Sequence, residues 1–399
     1  MAAPSMRTVH DVRAGAVEIA RSYGDFDTAT VDEALRRLGA LRSDGRLTQA
    51  GALMFRGSEE VFLEFAEFDV PGGSIVNRIS ARSGTSLLEQ LTEIESVLRV
   101  ANTTVTVVRG VRHESVRRIP ELSVREALLN GVTHRDWNRS EATEVRWFEL
   151  DSTLTVLSPG GFPGAVTEAN SLSNREARYP ALADLFRALG MVDKQGAGVD
   201  RMYREMITIG HRPPEIVETP GAWVRCTLVG GRPVYPVMEC VRAITPAERQ
   251  NDYRVAIILY QLMHRAFLTA DQVEAALQST AEGARVAVEA ARQSTVRSEP
   301  LIVRYKDAWL LGSAARRLLE AAYDEDSTFP VVGYLSTEFG SQAKVAIDWV
   351  DSFGSVTTGD LQALTGTSRG TARRTLDGLV GSGDLIGRGS GRSSRYERP

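Results

Sequence analysis

Three polar residues in the middle of the chain have the spacing of one helical face. Glu126, Asn130 and His134 follow one another at intervals of four residues within the segment 120–136. On an α-helix such residues point the same way, so a carboxylate, an amide and an imidazole would share one stripe. A buried helix gathers polar groups where they meet water, a ligand or each other. We therefore take this stripe as the candidate functional site.

The residue types on this stripe suit phosphate chemistry assisted by a metal ion. Glu126 could activate a water molecule, and Asn130, one turn further on, could offer a neutral oxygen to Mg²⁺. Farther along the chain, Lys194, Gly196 and Gly198 lie just before or at the start of a predicted helix. Glycines there let backbone N–H groups approach a phosphate at the positive end of the helix. Taken together and in this order, the motifs predict a nucleotide pocket.

A second glycine turn is expected to form the opposite wall of that pocket. Gly160 and Gly161 follow a proline at the end of a predicted strand. A structural interpretation of the polar stripe remains open beside the functional one. In that interpretation, residues 134–136 cap the helix and Glu126 is paired with an arginine.

Two other motif readings are rejected on the sequence. Residues 134–136 spell His-Arg-Asp, as in a kinase catalytic loop, but Glu141 stands where the asparagine of that loop should be. A kinase would also need a lysine-bearing strand and a D-F-G motif, and the sequence has neither. It also has no G-x-x-x-x-G-K-[ST] phosphate loop, so we do not expect a helicase motor.

Alternating and helical apolar patterns predict the elements that position these motifs. Helices are predicted over 12–22, 30–40, 87–102, 120–136, 180–190 and 198–210, and strands over 61–70, 74–84, 103–119, 144–150, 153–162, 215–219 and 222–230. The segment 165–179 is polar and irregular, which indicates a mobile loop. Residues 41–230 thus predict a mixed sheet layered with helices, an α+β fold.

The composition changes after residue 230, and a repeated plan follows. Residues 231–246 are interpreted as a linker. Helices are then predicted over 250–265, 269–278 and 281–293, followed by a strand, a turn and a strand. The last sixty residues repeat this order of three helices and a hairpin. That order is the plan of a helix-turn-helix with a wing, so two such modules in tandem are predicted.

The last of these modules carries a basic surface in a chain whose net charge is −4. From Gly366 to Pro399 the sequence has seven arginines against three acidic residues. Those on the third helix and its hairpin are predicted, with one threonine, to contact DNA: Arg369, Thr371, Arg373, Arg374, Arg388, Arg392 and Arg395. The third helix would enter the major groove while wing arginines meet phosphates. The alternative is a packing or dimerisation module. In the middle module the corresponding helix is alanine-rich and nearly neutral, so protein contact is an equal alternative there.

Composition limits the classes of protein to consider. The chain has 399 residues, 43% apolar and 25% charged, which predicts two or three soluble domains. It lacks a long apolar run and an apolar N-terminal segment, so neither a membrane span nor a signal peptide is expected. Its two cysteines, Cys226 and Cys240, are expected to be free thiols in a reducing cytoplasm. Only three of the 47 basic residues are lysines, which a GC-rich genome would explain.

Four segments resemble one known family. They are LGALRSDGRLTQAGALMF (38–55), REALLNGVTHRDW (125–137), LSPGGF (157–162) and RYPALADLFRALGMVDKQGAGVDRMYREM (178–206). Residues 30–230 resemble the ATP-binding domain attached to Schlafen-type AlbA proteins, a branch of the Bergerat ATPase superfamily. The resemblance implies ATP and Mg²⁺ as ligands. It also implies Glu126 as the water-activating carboxylate and Asn130 as the metal ligand, with Gly160, Gly161, Gly196 and Gly198 beside the phosphates.

The resemblance has two departures. The superfamily's first glycine box begins with an aspartate that reads the adenine amino group, and here Ser158 and Pro159 stand in its place. There is also little room for an AlbA-like domain in front.

The predicted fold is therefore α+β, a Bergerat-like mixed-sheet α/β sandwich followed by tandem winged helix-turn-helix modules. The predicted domains are an N-terminal α/β region (1–102) packed on a nucleotide-binding domain (103–230), the linker (231–246), a middle module (247–325) and a DNA-binding module (326–399). The nucleotide-binding set comprises Asn130, His134, Gly160, Gly161, Lys194, Gly196 and Gly198. The predicted function is a cytoplasmic, homodimeric regulator that binds ATP and double-stranded DNA. The alternatives are an Mg²⁺-dependent ATPase in repair or phage defence, and an interaction scaffold with a degenerate nucleotide site.

Overall fold

The computed structural model describes residues 11–23, 30–109, 112–192, 198–322, 331–389 and 394–399. The chain divides into two compact units. The first runs to Ile207 and also contains His211–Pro233, whereas the second comprises Thr208–Gly210 and Val234–Pro399. Each unit has its own sheets and helices, and each is described by itself below.

A mixed sheet forms the centre of the first unit. Its strands are β1 (Leu63–Phe68), β2 (Ile75–Ser80), β5 (Thr143–Phe148), β6 (Thr153–Pro159), β7 (Glu215–Thr219) and β8 (Trp223–Val229), and a separate hairpin pairs β3 (Thr104–Arg109) with β4 (Arg112–Arg117). In the described residues the strand order is β2-β1-β5-β6-β8-β7. The pair β1 and β5 is parallel and the other neighbours are antiparallel, which confirms the predicted mixed sheet.

Helices pack on this sheet through apolar faces. They are α1 (Ala14–Tyr23), α2 (Val31–Arg37), α3 (Gln49–Phe55), α4 (Leu87–Ala101), α5 (Glu121–Thr133), α6 (Pro180–Ala188) and α7 (Gly198–Thr208). Helix α5 carries the polar stripe and contacts β6 and β8. It starts after Pro120, whose fixed φ of −54° suits a helix entrance. Leu128 and Leu129 bury its apolar side, whereas Leu122 is 43% exposed.

The predicted boundary at residue 102 does not separate two bodies. Strand β1, from the predicted N-terminal region, pairs with β5 along its whole length, from Leu63 beside Thr143 to Phe68 beside Phe148. Since parallel strands must share their backbone hydrogen bonds, both regions contribute to one sheet and one core.

The second unit contains the two modules with the repeated plan. Its helices are α8 (Tyr235–Arg242), α9 (Tyr253–His264), α10 (Ala270–Leu277), α11 (Ala281–Arg292), α12 (Ser313–Glu320), α13 (Phe339–Phe353), α14 (Thr358–Thr365) and α15 (Arg369–Gly381), with short 3-10 turns at Ala247–Asn251 and Gly333–Leu335. Its strands are β9 (Ile244–Thr245), β10 (Thr295–Val296), β11 (Glu299–Pro300), β12 (Ile302–Tyr305), β13 (Ala308–Leu311), β14 (Ser355–Val356), β15 (Ile386–Arg388) and β16 (Arg395–Glu397).

The prediction of a linker over 231–246 was wrong. Most of this segment forms α8 and β9, and α8 packs against α12. The side chains of Val237, Met238 and Cys240 are buried. The proline in the first turn of α8 and its apolar face are helix signals that we did not recognise.

Both modules have three helices followed by a hairpin. In the last module β14 joins the hairpin in the order β14-β16-β15. In the middle module Leu268 takes the place of β14 by bridging to Trp309 on β13. The second helix begins with a capping box in each case, at Thr269 in α10 and at Thr357 in α14. The predicted repeat of three helices and a hairpin is therefore present in the structure.

The two modules contact each other through a buried aromatic cluster. Trp349 of α13 is fully buried, and its ring lies 4.9 Å from the ring of Phe267 and 4.3 Å from that of Phe353. The tip of the β12–β13 hairpin lies beside this cluster. There Lys306 Nζ lies 2.5 Å from a carboxylate oxygen of the buried Asp360, which begins α14.

The α+β class predicted from the sequence is confirmed. Of the helices in the described part of the chain, none combines the length and apolar character needed to cross a bilayer. Both cysteines are buried free thiols, as expected.

Candidate functional site

The polar stripe of α5 lines a cavity of about 260 Å³ in the first unit. Glu126, Asn130 and His134 all contribute to its wall, as the helical spacing predicted. The opposite surfaces are formed by the start of α7, by strands β6 to β8 and by the loop between β6 and α6. Most of the lining is apolar, and α5 contributes polar side chains to it.

Glu126 is held in an ion pair. Its side chain is 2% exposed, and its Oε1 accepts a hydrogen bond of 2.9 Å from Nη1 of Arg201 on α7. Pairing with an arginine was the structural alternative for this carboxylate, and the structure contains that pair. Burial of a carboxylate requires such a partner, because an isolated buried charge is costly.

Gly198, the first residue of α7, lies against the same carboxylate. A Cβ atom at this position would meet the Glu126 side chain and would lie 3.8 Å from Nδ2 of Asn130. The absence of a side chain therefore lets the backbone at the start of α7 approach the stripe. This is the geometry that a helix N-terminus needs in order to contact an anion. The other predicted residues of this turn, Lys194 and Gly196, lie outside the described residues.

The remaining polar atoms of the stripe are buried beside the cavity. Nδ2 of Asn130, Oγ1 of Thr133 and Nδ1 of His134 have no hydrogen-bond partner within the part of the chain that the structure describes. Burial and, to a smaller extent, the neighbouring Arg178 lower the pKa of His134, so this imidazole is neutral at pH 7. Buried donors and acceptors normally find partners, so these atoms are suited to a bound ligand.

The first glycine turn is built differently from the prediction. Gly160 adopts a φ of +102°, and a Cβ there would lie 2.7 Å from Cβ of Asp136. Glycine therefore allows this turn to approach Asp136 closely. Gly160 does not line the cavity, whereas Gly161 does. The next N–H, that of Phe162, donates to Glu218 at 3.0 Å. This turn is thus bound to a carboxylate of the protein itself.

Arg135 and Asp136 form structural contacts after the end of α5. His134 ends α5, and Arg135 is 2% exposed, with its guanidinium donating to the backbone oxygens of Phe62, Arg139 and Glu141. Burial lowers the pKa of Arg135 to about 10. Asp136 accepts hydrogen bonds from Asn138 and Tyr179. The chain after α5 is therefore fixed by these contacts, in line with the rejection of a kinase loop.

Two features of the site were not predicted from the sequence. Arg201 was not singled out, although it lies three residues after Gly198 and so faces the same side of α7. The loop between β6 and α6 was expected to be mobile, yet Phe162, Leu172 and Arg175 line the cavity. Arg175 also forms a salt bridge of 2.5 Å with Asp200 of α7. Such a contact between distant segments leaves no periodic signal in a sequence.

The cavity offers few protein ligands for a divalent cation among the described residues. Across the described residues, no group of three or more His, Cys, Asp or Glu side chains is arranged to hold a metal ion. Mg²⁺ often takes one or two protein oxygens and completes its shell with phosphates and water. Asn130 could supply one such oxygen, so Mg²⁺ would depend on a bound phosphate for most of its ligands.

The predicted DNA-contacting residues lie together in the last module. Arg369, Thr371, Arg373 and Arg374 are on α15, Arg388 is on β15 and Arg395 is on β16, while Arg392 lies outside the described residues. Arg373 lies 3.5 Å from Asp377, and Arg395 lies 2.6 Å from Glu397, which Arg388 approaches at 4.0 Å. Arg369 and Arg374 have no carboxylate partner in the described residues. Both residues are exposed.

Comparison with known proteins agrees with this division of the chain. Residues 144–228 match the family described as "Putative ATP-dependent DNA helicase recG C-terminal". Residues 337–399 match "Transcriptional regulator DIP2311-like, C-terminal domain", and residues 235–320 match a family of unknown function. No protein among those with curated descriptions matches the chain.

A solved structure covers nearly the whole chain. The crystal structure of the DIP2311 protein from Corynebacterium diphtheriae is similar with a TM-score of 0.90 and 50% sequence identity, over 99% of this chain and 69% of that one. The chain belongs to the DIP2311 family. Its C-terminal domain is accordingly similar to that of a transcriptional regulator, and part of its first unit is similar to an ATPase- or helicase-associated domain. The DIP2311-like segment contains α13 to β16, the elements that carry the basic surface.

Proposed function

We propose that this member of the DIP2311 family is a cytoplasmic regulator of transcription that binds double-stranded DNA through its last module and ATP with Mg²⁺ in the first unit. The coarse assignment rests on the regulator-like C-terminal domain and the ATPase-like segment. The specific ligands are inferred from the geometry of the two candidate surfaces.

One observation carries the nucleotide part of the proposal. Glu126, Asn130 and Gly198 come from two helices and converge on one cavity, at the N-terminal end of α7. Backbone N–H groups at such an end attract phosphate oxygens, and the helix dipole favours negative charge there. The buried Nδ2 of Asn130, which has no partner in the described residues, lies near the same end of α7. A phosphate in the cavity would satisfy these donors.

Binding is proposed in preference to hydrolysis. A general base must reach the proton of the attacking water, and Oε1 of Glu126 is engaged with Arg201 at 2.9 Å. Mg²⁺, when bound with the phosphates, would neutralise their charge, and Asn130 would orient it from α5. A Mg²⁺-dependent ATPase would require Arg201 to release this oxygen, and nothing in the observed contacts favours that release.

The DNA part of the proposal rests on charge that the protein does not neutralise itself. Arg369 and Arg374 on α15 are exposed, and no described carboxylate lies beside them. Cations on a third helix and its wing are suited to contact phosphates and base edges in the major groove. Nucleotide could change DNA affinity only by binding one arrangement of the protein better than another. We further propose a homodimer, which light scattering of the purified chain would test.

The nucleotide proposal is tested by isothermal titration of the full chain with ATP and Mg²⁺. We expect saturable binding in the wild type and an affinity about tenfold lower in Asn130→Ala, since a lost hydrogen bond to a charged group costs about 1.5–3 kcal/mol. Asn138→Ala is the matched control, because Asn138 is exposed and bonds to Asp136 and Tyr179 outside the cavity. Absence of heat with millimolar ATP and ADP, with and without Mg²⁺, would overturn the proposal.

A further inference from the structure

Three neighbouring strands form an apolar floor under the cavity. The strand register places Val156 of β6 beside Cys226 of β8, and Cys226 beside Ile216 of β7. All three side chains line the cavity. Residues two positions apart on a strand point to the same face, so Ser158 and Val224 form the next row of this floor. A planar ring could lie on such a surface without a specific polar partner.

Ser158 is the polar group of this floor, and its hydroxyl proton is already used. The side chain is 5% exposed, and Oγ donates a hydrogen bond of 2.6 Å to the backbone oxygen of Gly131 on α5. A hydroxyl bound in this way has lone pairs left but no proton to give. Ser158 can therefore offer a ligand one neutral acceptor.

The carboxylates in the cavity wall are engaged elsewhere. Within the described lining they belong to Glu126 and Glu176. Glu126 is bound by Arg201, and Oε2 of Glu176 accepts from the backbone N–H of Ala165 in the covering loop. The floor thus has no charged acceptor next to Ser158 with which to select one pattern of ring donors.

We propose that the cavity binds nucleoside triphosphates without selecting the base. This inference rests on the proposed nucleotide binding and specifies its ligand class. Phosphates would provide the affinity at the start of α7, while Val156, Cys226 and Ile216 would pack against either a purine or a pyrimidine ring. An apolar pocket discriminates weakly between similar ligands, whereas a site with matched polar groups rejects a mismatched ligand strongly.

The test is to titrate the full chain with ATP, GTP, CTP and UTP, each with Mg²⁺. We expect the four dissociation constants of the wild type to agree within about threefold. Ser158→Asp places a charged acceptor on the floor, and we expect it to favour ATP over GTP by at least tenfold. Ser158→Ala is the control for loss of the hydroxyl, and the ratio between ATP and GTP is expected to stay near one.

The outcomes separate this inference from the proposed function. A wild-type preference of more than tenfold for one base overturns the inference and leaves nucleotide binding in place. Silence with all four nucleotides removes both. Circular dichroism would check that Ser158→Asp folds. Should it unfold, the wild-type ratios decide the question by themselves.

Discussion

The third helices of the two modules in the second unit have the same plan but differ in charge, since α11 is nearly neutral and α15 is basic. In α11, Arg285 is paired with Glu282 and Arg292 with Glu289, in each case through two hydrogen bonds of 2.6 to 2.9 Å. In α15, by contrast, Arg369 and Arg374 have no carboxylate partner among the described residues. A glutamate three residues before an arginine thus decides whether that arginine is available to another molecule.

This difference separates the fold of a module from its capacity to bind. Thr280 caps α11 and Ser368 caps α15 through the same type of side-chain bond. Each helix also buries alanine or leucine side chains against its module. The backbone plan is therefore shared, whereas the exposed charge is set by the identity of a few surface residues. We expect the last module to contact DNA and the middle module to support it.

Truncation of the aromatic cluster between the two modules should cause the largest loss of stability. Trp349→Ala should reduce the free energy of unfolding by about 3–5 kcal/mol, because it removes a fully buried aromatic side chain and leaves a cavity. Both modules should lose stability together, since Phe267 and Phe353 pack on the same ring. Urea denaturation followed by circular dichroism measures the change. Phe339→Ala, at a position that is 53% exposed, is the control and should cost much less.

Removal of the arginines of α15 that are unpaired in the described residues should weaken DNA binding. Arg369→Ala with Arg374→Ala is expected to weaken binding to mixed genomic DNA fragments by roughly 30-fold or more at low salt, because each of the two lost contacts costs at least about 1 kcal/mol. The slope of log affinity against log salt should also fall by about 1 for each phosphate contact that is lost. Fluorescence anisotropy measures both quantities.

The matched control for this prediction lies in α11. Arg285→Ala with Arg292→Ala removes two arginines from the equivalent helix, and DNA affinity should change by less than about twofold because both are already neutralised. Equal losses of DNA affinity in the two double variants would show that pairing with glutamate does not decide which arginines contact DNA.

The contact between Lys306 and Asp360 predicts a dependence of stability on pH. Burial disfavours the charged form of Asp360, but hydrogen bonds from Lys306, Thr357 and Tyr305 outweigh it and lower the pKa of this carboxyl. Because the pKa is lower in the folded than in the unfolded chain, where it is about 3.9, the stabilisation is complete above that pH. It is lost as the pH falls through the folded-state value. Thermal melts at pH 3 to 7 should show this loss in the wild type and a smaller one in Asp360→Asn.

The smallest expected effect comes from making α11 resemble α15. Glu282→Gln with Glu289→Gln releases two arginines, yet DNA affinity at low salt should rise by no more than about twofold. The hairpin that follows α11 is occupied at its tip by Asp360, so it is not available as a wing. A gain of tenfold or more in anisotropy would instead make the middle module a second DNA-binding surface.

The elements of this chain could be predicted from its sequence because each has a local signal. Helical spacing placed Glu126, Asn130 and His134 on one face, and the structure brings all three to one cavity. Alternating apolar residues predicted the strands, and the predicted order of three helices and a hairpin is present in both modules. These signals depend on neighbours within one or two turns of chain, which a single sequence contains.

The parts that failed depend on contacts between distant residues. The pair of Arg201 with Glu126 joins positions 75 residues apart, and it binds an oxygen of the carboxylate that we predicted as a base. The carboxylate of Glu218 on β7 reaches the turn after Gly161 in the same unpredictable way. Helix α8 was missed because the change in composition after residue 230 suggested a linker. None of these outcomes has a periodic pattern.

The aromatic ring at position 349 also sets the smallest piece of this protein that can be studied alone. A fragment starting near residue 337, as the DIP2311-like segment does, would lack Phe267 and Lys306. In such a fragment the Trp349 ring would be exposed to water where Phe267 covers it, and Asp360 in the first turn of α14 would lose its ion pair with Lys306. Shortened chains intended for DNA work should therefore retain the preceding module, and those that do not should be prone to self-association.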